Sequence, residues 1–100
     1  MQVHSVYFWL KELNDEERQR FKDGLKALTG INLVQEGFVG VPANTDRDVV
    51  DNSYDYSLVL FFEDREDEQA YQEHPIHQEF VSDCEKFWDD LVVYDSVDMY

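Results

Sequence analysis

The residues of this chain best suited to chemistry are crowded into Ala70 to Phe80, A-Y-Q-E-H-P-I-H-Q-E-F. Tyr71 stands three residues before His74, and His77 three residues after it. A neutral imidazole takes up a proton near neutral pH. A tyrosine hydroxyl beside it can donate a hydrogen bond to an oxygen on which negative charge develops. The pair suits proton abstraction next to a carbonyl, with His77 as base and Tyr71 holding the enolate oxygen. His4, near the start of the chain, is the third candidate. The plainer alternative is a buried polar network in which Tyr71, His77 and His4 satisfy one another.

Other chemistry is weaker. His74 and His77, with His4 as a third nitrogen, could ligate zinc, which accepts three histidines and an open position. Their spacing across a proline is not the helical His-x-x-x-His clamp, and no metal is expected. His74 suits instead the end of the preceding helix, where a cation is favoured. Cys84 falls on an apolar stripe and behaves as a small buried hydrophobe. There is no glycine-rich phosphate loop or dinucleotide fingerprint, so no cofactor is expected.

The elements that must position these groups follow from the pattern. Pro75 has no N–H and disfavours helix in the residue before it. One helix therefore ends near Glu73 or His74, and the next begins with Pro75 in its first turn. This kink can aim Tyr71 and His77 into one space. The third helix is predicted from Pro75 to about Asp90, with Phe80, Cys84, Phe87 and Leu91 on one stripe. His77, Val81 and Trp88 follow the edge of that stripe. Upstream, Val3–Leu10 is a strand with His4, Val6, Phe8 and Leu10 on one face and Val3, Ser5, Tyr7 and Trp9 on the other.

Asn14, with Glu17 three residues on, marks the start of a helix over Asp15–Leu28 that Gly30 stops. A second strand is predicted over Leu33–Val41, bent or bulged at Gly37 and Gly40. A loop of about a dozen residues follows, long enough to be mobile or functional. Tyr54–Phe62 is the central strand. Asp64 caps the helix that carries Tyr71, and Leu91–Val97 is the last strand.

The order strand, helix, strand, strand, helix pair, strand is the ferredoxin-like split βαβ plan, an α+β fold with helices on one face of a four-stranded antiparallel sheet. The uncovered face carries Tyr7, Trp9, Val59 and Phe61, and an apolar patch of that kind calls for a partner. The simplest is a second copy related by a two-fold axis, giving a homodimer through the sheet face. The helix-side face would form an apolar pocket of Val6, Phe8, Leu58, Leu60, Phe80 and Trp88.

One hundred residues make one domain, and 43% hydrophobic content supports a real core. Twenty-three acidic residues against eight basic ones leave a net charge of −15. Such a surface repels phosphate backbones and anionic lipid, which argues against nucleic acid or membrane as partners. A single cysteine forbids an internal disulfide. No apolar run is long enough to span a bilayer, and the chain opens on a strand pattern without a basic, apolar leader, so a cytoplasmic location is expected.

Four segments carry a family resemblance: V-H-S-V-Y-F near the start, Y-D-Y-S-L-V-L-F-F-E-D in the central strand, Y-x-x-H-P-x-H at Tyr71–His77, and F-W-D-D-L-V-V-Y-D near the end. Over nearly its full length the chain resembles the stress-responsive dimeric α/β-barrel (Dabb) domain family. The resemblance implies a dimeric barrel of two ferredoxin-like sheets. It also implies similarity to olivetolic acid cyclase-like proteins, cofactor-independent enzymes in which the tyrosine and second histidine of that motif carry an intramolecular aldol condensation. Those positions are Tyr71 and His77 here, and the first-strand histidine matches His4. A further histidine of the cyclase has no counterpart, Tyr56 or a neighbour standing in its place. Two function classes stay open: a cofactor-free cyclase or lyase acting on a hydrophobic carbonyl compound, or a non-catalytic, stress-associated dimer that binds an apolar ligand. Activity requires an open cavity under the third helix, and one filled by Phe8, Phe62, Phe80, Phe87 and Trp88 leaves the group a purely structural network.

Overall fold

β1 (Gln2–Leu10) buries alternate residues, Gln2, His4, Val6 and Phe8, and leaves Val3, Ser5, Tyr7 and Trp9 half-buried. That alternation is the two-residue period of a strand covered on one side. It is seen in a computed structural model covering residues 1–100. β1 lies inside a four-stranded sheet of order β2-β3-β1-β4, all antiparallel, with β2 at Glu36–Gly40, β3 at Tyr56–Phe62 and β4 at Trp88–Val97. Three helices, α1 (Asp15–Thr29), α2 (Arg65–Glu73) and α3 (Pro75–Cys84), complete the ferredoxin-like order.

α1 starts where expected. Asn14 Oδ1 accepts from the Glu17 N–H at 2.8 Å, and Glu17 Oε1 accepts from the Asn14 N–H at 3.1 Å. Such a reciprocal cap is worth about 1 kcal/mol. Phe21, Leu25 and Leu28 recur on one face and are wholly buried against the sheet. Each contributes roughly 1.5–3 kcal/mol of burial.

Several boundaries differ from the sequence pattern, each for a tertiary reason. β2 is shorter than Leu33–Val41, because a turn bonding the Val34 N–H to Ile31 O (2.9 Å) buries Ile31 first. The bend expected at Gly37 and Gly40 is absent, and β2 pairs with β3 in unbroken register. Gly37 serves close approach instead, since a Cβ there would stand 2.8 Å from Thr29 Cβ. The sheet's irregularity lies between β1 and β4, at Trp9/Leu10. β3 begins at Tyr56, two residues late, while Asp55 takes the Leu10 N–H on its carboxylate at 2.7 Å.

The largest departure is at the end of α3. The helix stops at Cys84, a 3-10 turn occupies Glu85–Phe87, and β4 begins at Trp88. The reason is backbone pairing: Phe87 O accepts from the Lys11 N–H at 2.9 Å, and Trp88 pairs with Leu10. A helix running to Asp90 would leave that end of β1 without partners. Trp88 therefore packs from a strand, stacked on Phe80 with ring centroids 5.8 Å apart, and Leu91 lies opposite Phe8 on β4. No helix is long and apolar enough to cross a membrane.

Candidate functional site

The α2–α3 junction is the device that builds the site. α2 ends at Glu73 and α3 opens on Pro75, with His74 extended between them (φ −65°, ψ 140°), as a residue before proline prefers. His74 Nδ1 accepts the Ile76 N–H at 3.1 Å. It thus caps the start of α3 as a neutral acceptor and does not act as a cation at the end of α2, which corrects the sequence reading. This use occupies the nitrogen that a metal would need, and no cluster of three or more His, Cys, Asp or Glu side chains is arranged to hold an ion.

On either side of the kink, Tyr71 and His77 turn inward. Their ring centroids are 4.9 Å apart in an edge-to-face arrangement, and the His4 ring lies 6.0 Å from that of Tyr71. Tyr71 is thus the middle member, packed also against Phe62 at 5.1 Å. All three side chains line one open cavity of about 330 Å³ between the sheet and α3. Its apolar walls include Val6, Phe8 and Leu58 from the sheet, Phe80 from α3 and Trp88 from the start of β4. Leu60 is wholly buried in the sealed core and does not line it.

The electrostatics divide the roles. Burial, then the neighbouring His4, lowers the His77 pKa below its ordinary value, while Glu68 and the Gln72 backbone pull weakly the other way. His77 is thereby held as neutral imidazole. Burial, then Glu68, pushes the Tyr71 hydroxyl far above its ordinary range, so it keeps its proton and remains a donor. That hydroxyl makes no hydrogen bond within the chain, yet no buried side-chain polar atom lacks a partner. It therefore opens onto the cavity, where an arriving oxygen can meet it.

The partner of His4 escaped the sequence reading. His4 Nδ1 lies 2.6 Å from Asp95 Oδ1. A carboxylate only accepts, so the ring donates from Nδ1, and whenever it is neutral it keeps Nε2 as an acceptor. Asp95 faces His4 because β1 and β4 pair in that register. The available signal was an aspartate on the Leu91–Val93–Asp95 face of an apolar strand, which gains meaning only once the register is known. Cys84 sits outside this cavity, in a cleft between α1 and α3, and burial raises its thiol to about 11. It is held as the inert thiol.

The sheet order, the kinked helix pair and the pocket beneath them define a ferredoxin-like α+β domain with Tyr71, His77 and His4 lining an apolar-walled cavity. The profile of the Stress responsive A/B Barrel Domain (Dabb) matches residues 3–98, and the chain belongs to that family. No curated protein sequence is significantly similar to it. Among solved structures it is similar to a Dabb family protein with a ferredoxin-like fold from Mesorhizobium loti (25% identity, TM-score 0.79, covering 99% of this chain and 97% of that one). It is also similar to a hydroxynitrile lyase from Passiflora edulis (18% identity, TM-score 0.78, covering 99% and 94%). A third similar structure is a dimeric ferredoxin-like protein of unknown function from Thermobifida fusca (18% identity, TM-score 0.76, covering 95% and 88%).

Proposed function

We propose that this protein is a cofactor-independent cyclase or lyase acting on a small hydrophobic carbonyl compound. The observation that carries the reading is the meeting of His77, Tyr71 and His4 around one open, apolar-walled cavity. Neutral His77 removes a proton from the carbon next to the carbonyl. The C–H electron pair moves into the carbonyl system, and Tyr71 donates a hydrogen bond to the enolate oxygen. In the cyclase direction the enolate carbon bonds to a second carbonyl of the same molecule, whose oxygen takes the proton back from the imidazolium. His4, oriented by Asp95, keeps an acceptor beside Tyr71. Phe62 and Phe87 are buried in the core, Phe8, Phe80 and Trp88 stand in the walls, and the cavity between them stays open, which favours a ligand over a purely structural network.

The test uses acetophenone as probe. Nuclear magnetic resonance follows deuterium uptake at its methyl carbon in deuterated buffer. Wild type should accelerate exchange, and His77→Ala should lose about 100-fold or more of that rate, the usual contribution of a positioned base. Thermal melts should stay close to wild type. An unchanged exchange rate, or a stability loss of about 1–3 kcal/mol from partners left unsatisfied, favours the non-catalytic, stress-associated reading.

The working unit in this proposal is a homodimer, at home in a reducing cytoplasm that suits the free Cys84 thiol. Tyr7, Trp9, Val59 and Phe61 share the sheet face opposite the helices, with Phe38 57% exposed and Tyr94 64% exposed beside them. A second copy against that face would bury them. Sedimentation at micromolar concentration should give twice 11.9 kDa. Val59→Asp should give the monomer, because an unpaired charge would be buried between the sheets. A wild-type monomer removes the dimer from the proposal.

A further inference from the structure

We infer that this cavity selects its carbonyl compound by charge, taking neutral and ammonium-bearing aryl compounds and rejecting carboxylate- or phosphate-bearing ones, with Glu85 as the specificity-determining residue. The inference rests on the cavity being a ligand site, as proposed above.

No lysine or arginine lines the cavity, and Glu85 is the one acidic residue that does. Glu85 is exposed, stands where α3 gives way to the turn before β4, and belongs to none of the ion pairs of the chain. Two more carboxylates lie just behind the wall. Asp95 holds His4, and Glu68, anchored by Gln72 Nε2 at 2.7 Å, acts on His77. Neither nearby cation lines the cavity. Arg65 shares an adjoining groove with Glu68 and Asp95, and the Lys86 ammonium sits over the Phe87 ring, 5.5 Å from its centroid. The whole chain adds a field of −15. An anionic group, including the phosphates of a carrier thioester, would enter against this field with no cation to receive it.

The aromatic walls point the same way. Trp88 stacks on Phe80 with an interplanar angle of 27° and tilts against Phe8, ring centroids 5.4 Å apart. Flat apolar walls accept an aryl ring. Their negative faces tolerate an ammonium group and offer nothing to a carboxylate.

Three compounds of nearly one shape test this: acetophenone, 4-(aminomethyl)acetophenone and 4-acetylbenzoate. Binding is followed by the indole resonance of Trp88, with Trp9 on the opposite sheet face as internal control. At low salt the ammonium compound should bind at least as tightly as acetophenone, and about fivefold or more tighter than the carboxylate. Salt should narrow that gap. Glu85→Gln should shrink it, and Glu85→Lys should reverse it. Equal binding of the carboxylate overturns the charge selection. A gap unmoved by either variant overturns the role of Glu85. Binding of none of the three overturns the ligand reading beneath it, a result distinct from the other two.

Discussion

The helix-side face of the sheet has two halves that differ sharply. Under α1 and α2 it is sealed: Leu60 and Phe62 of β3 are wholly buried and do not line the cavity. Over β4 the same face is open, with Leu91 at 37% and Val93 at 43%. Both halves are apolar, so composition does not separate them. What separates them is cover. α1 packs Phe21 against Phe8 and Tyr56, while α3, set off at the Pro75 kink and ending at Cys84, leaves Leu91 and Val93 of β4 exposed. The open strip is one wall of the cavity, beside Val6, Phe8 and Leu58, and the polar groups of the site stand along its border. A sealed half supplies stability, and an open half leaves room for the cavity.

The largest effect expected from this contrast is at Leu60. Leu60→Ala in the sealed half should cost about 3 kcal/mol, from lost burial and the void left behind. Leu91→Ala in the open half should cost under about 1 kcal/mol. Urea unfolding of the two variants measures both, and equal losses would break the comparison. Next in size is the kink. His74→Ala removes the side-chain acceptor for the Ile76 N–H and should cost about 1 kcal/mol. If the α3 angle governs the opening, the Trp88 indole resonance should move in this variant while Trp9 stays.

The smallest effect is in pH dependence. With its pKa lowered in the folded chain, His77 is neutral in both folded and unfolded states above its ordinary value of 6.5. There it adds no pH dependence. Below 6.5 the unfolded chain takes the proton first, so stability falls as pH drops through the folded pKa. A ring titration by nuclear magnetic resonance should give a midpoint below 6.5 for His77. His4→Gln should raise it, since the His4 charge is one cause of the lowering. A midpoint at or above 6.5 in the wild type would mean that the open half solvates the ring fully.

Much of the fold was legible because its signals are local. The Asn14–Glu17 cap, the Phe21–Leu25–Leu28 stripe, the Pro75 break and the alternation of β1 and β3 each rest on residues within a few positions of one another. The candidate pair Tyr71 and His77 was legible for the same reason, being six residues apart across a break that proline announces. The ends of α3 and β2 were not legible. At Phe87 and Trp88 the amphipathic pattern permits another turn of helix, and only pairing with Lys11 and Leu10, far away in sequence, makes it a strand. The role of His74 was hidden because a ring nitrogen that caps and a ring that carries charge have the same spacing. Asp95 entered the site through the β1–β4 register, a contact across 91 positions that no local pattern encodes. The sequence by itself determined which faces are apolar and where the chain must break. Tertiary structure decided how far α3 reaches, and with it which half of an apolar face is sealed and which stays open, because backbone groups of β1 had to find partners before the helix could extend.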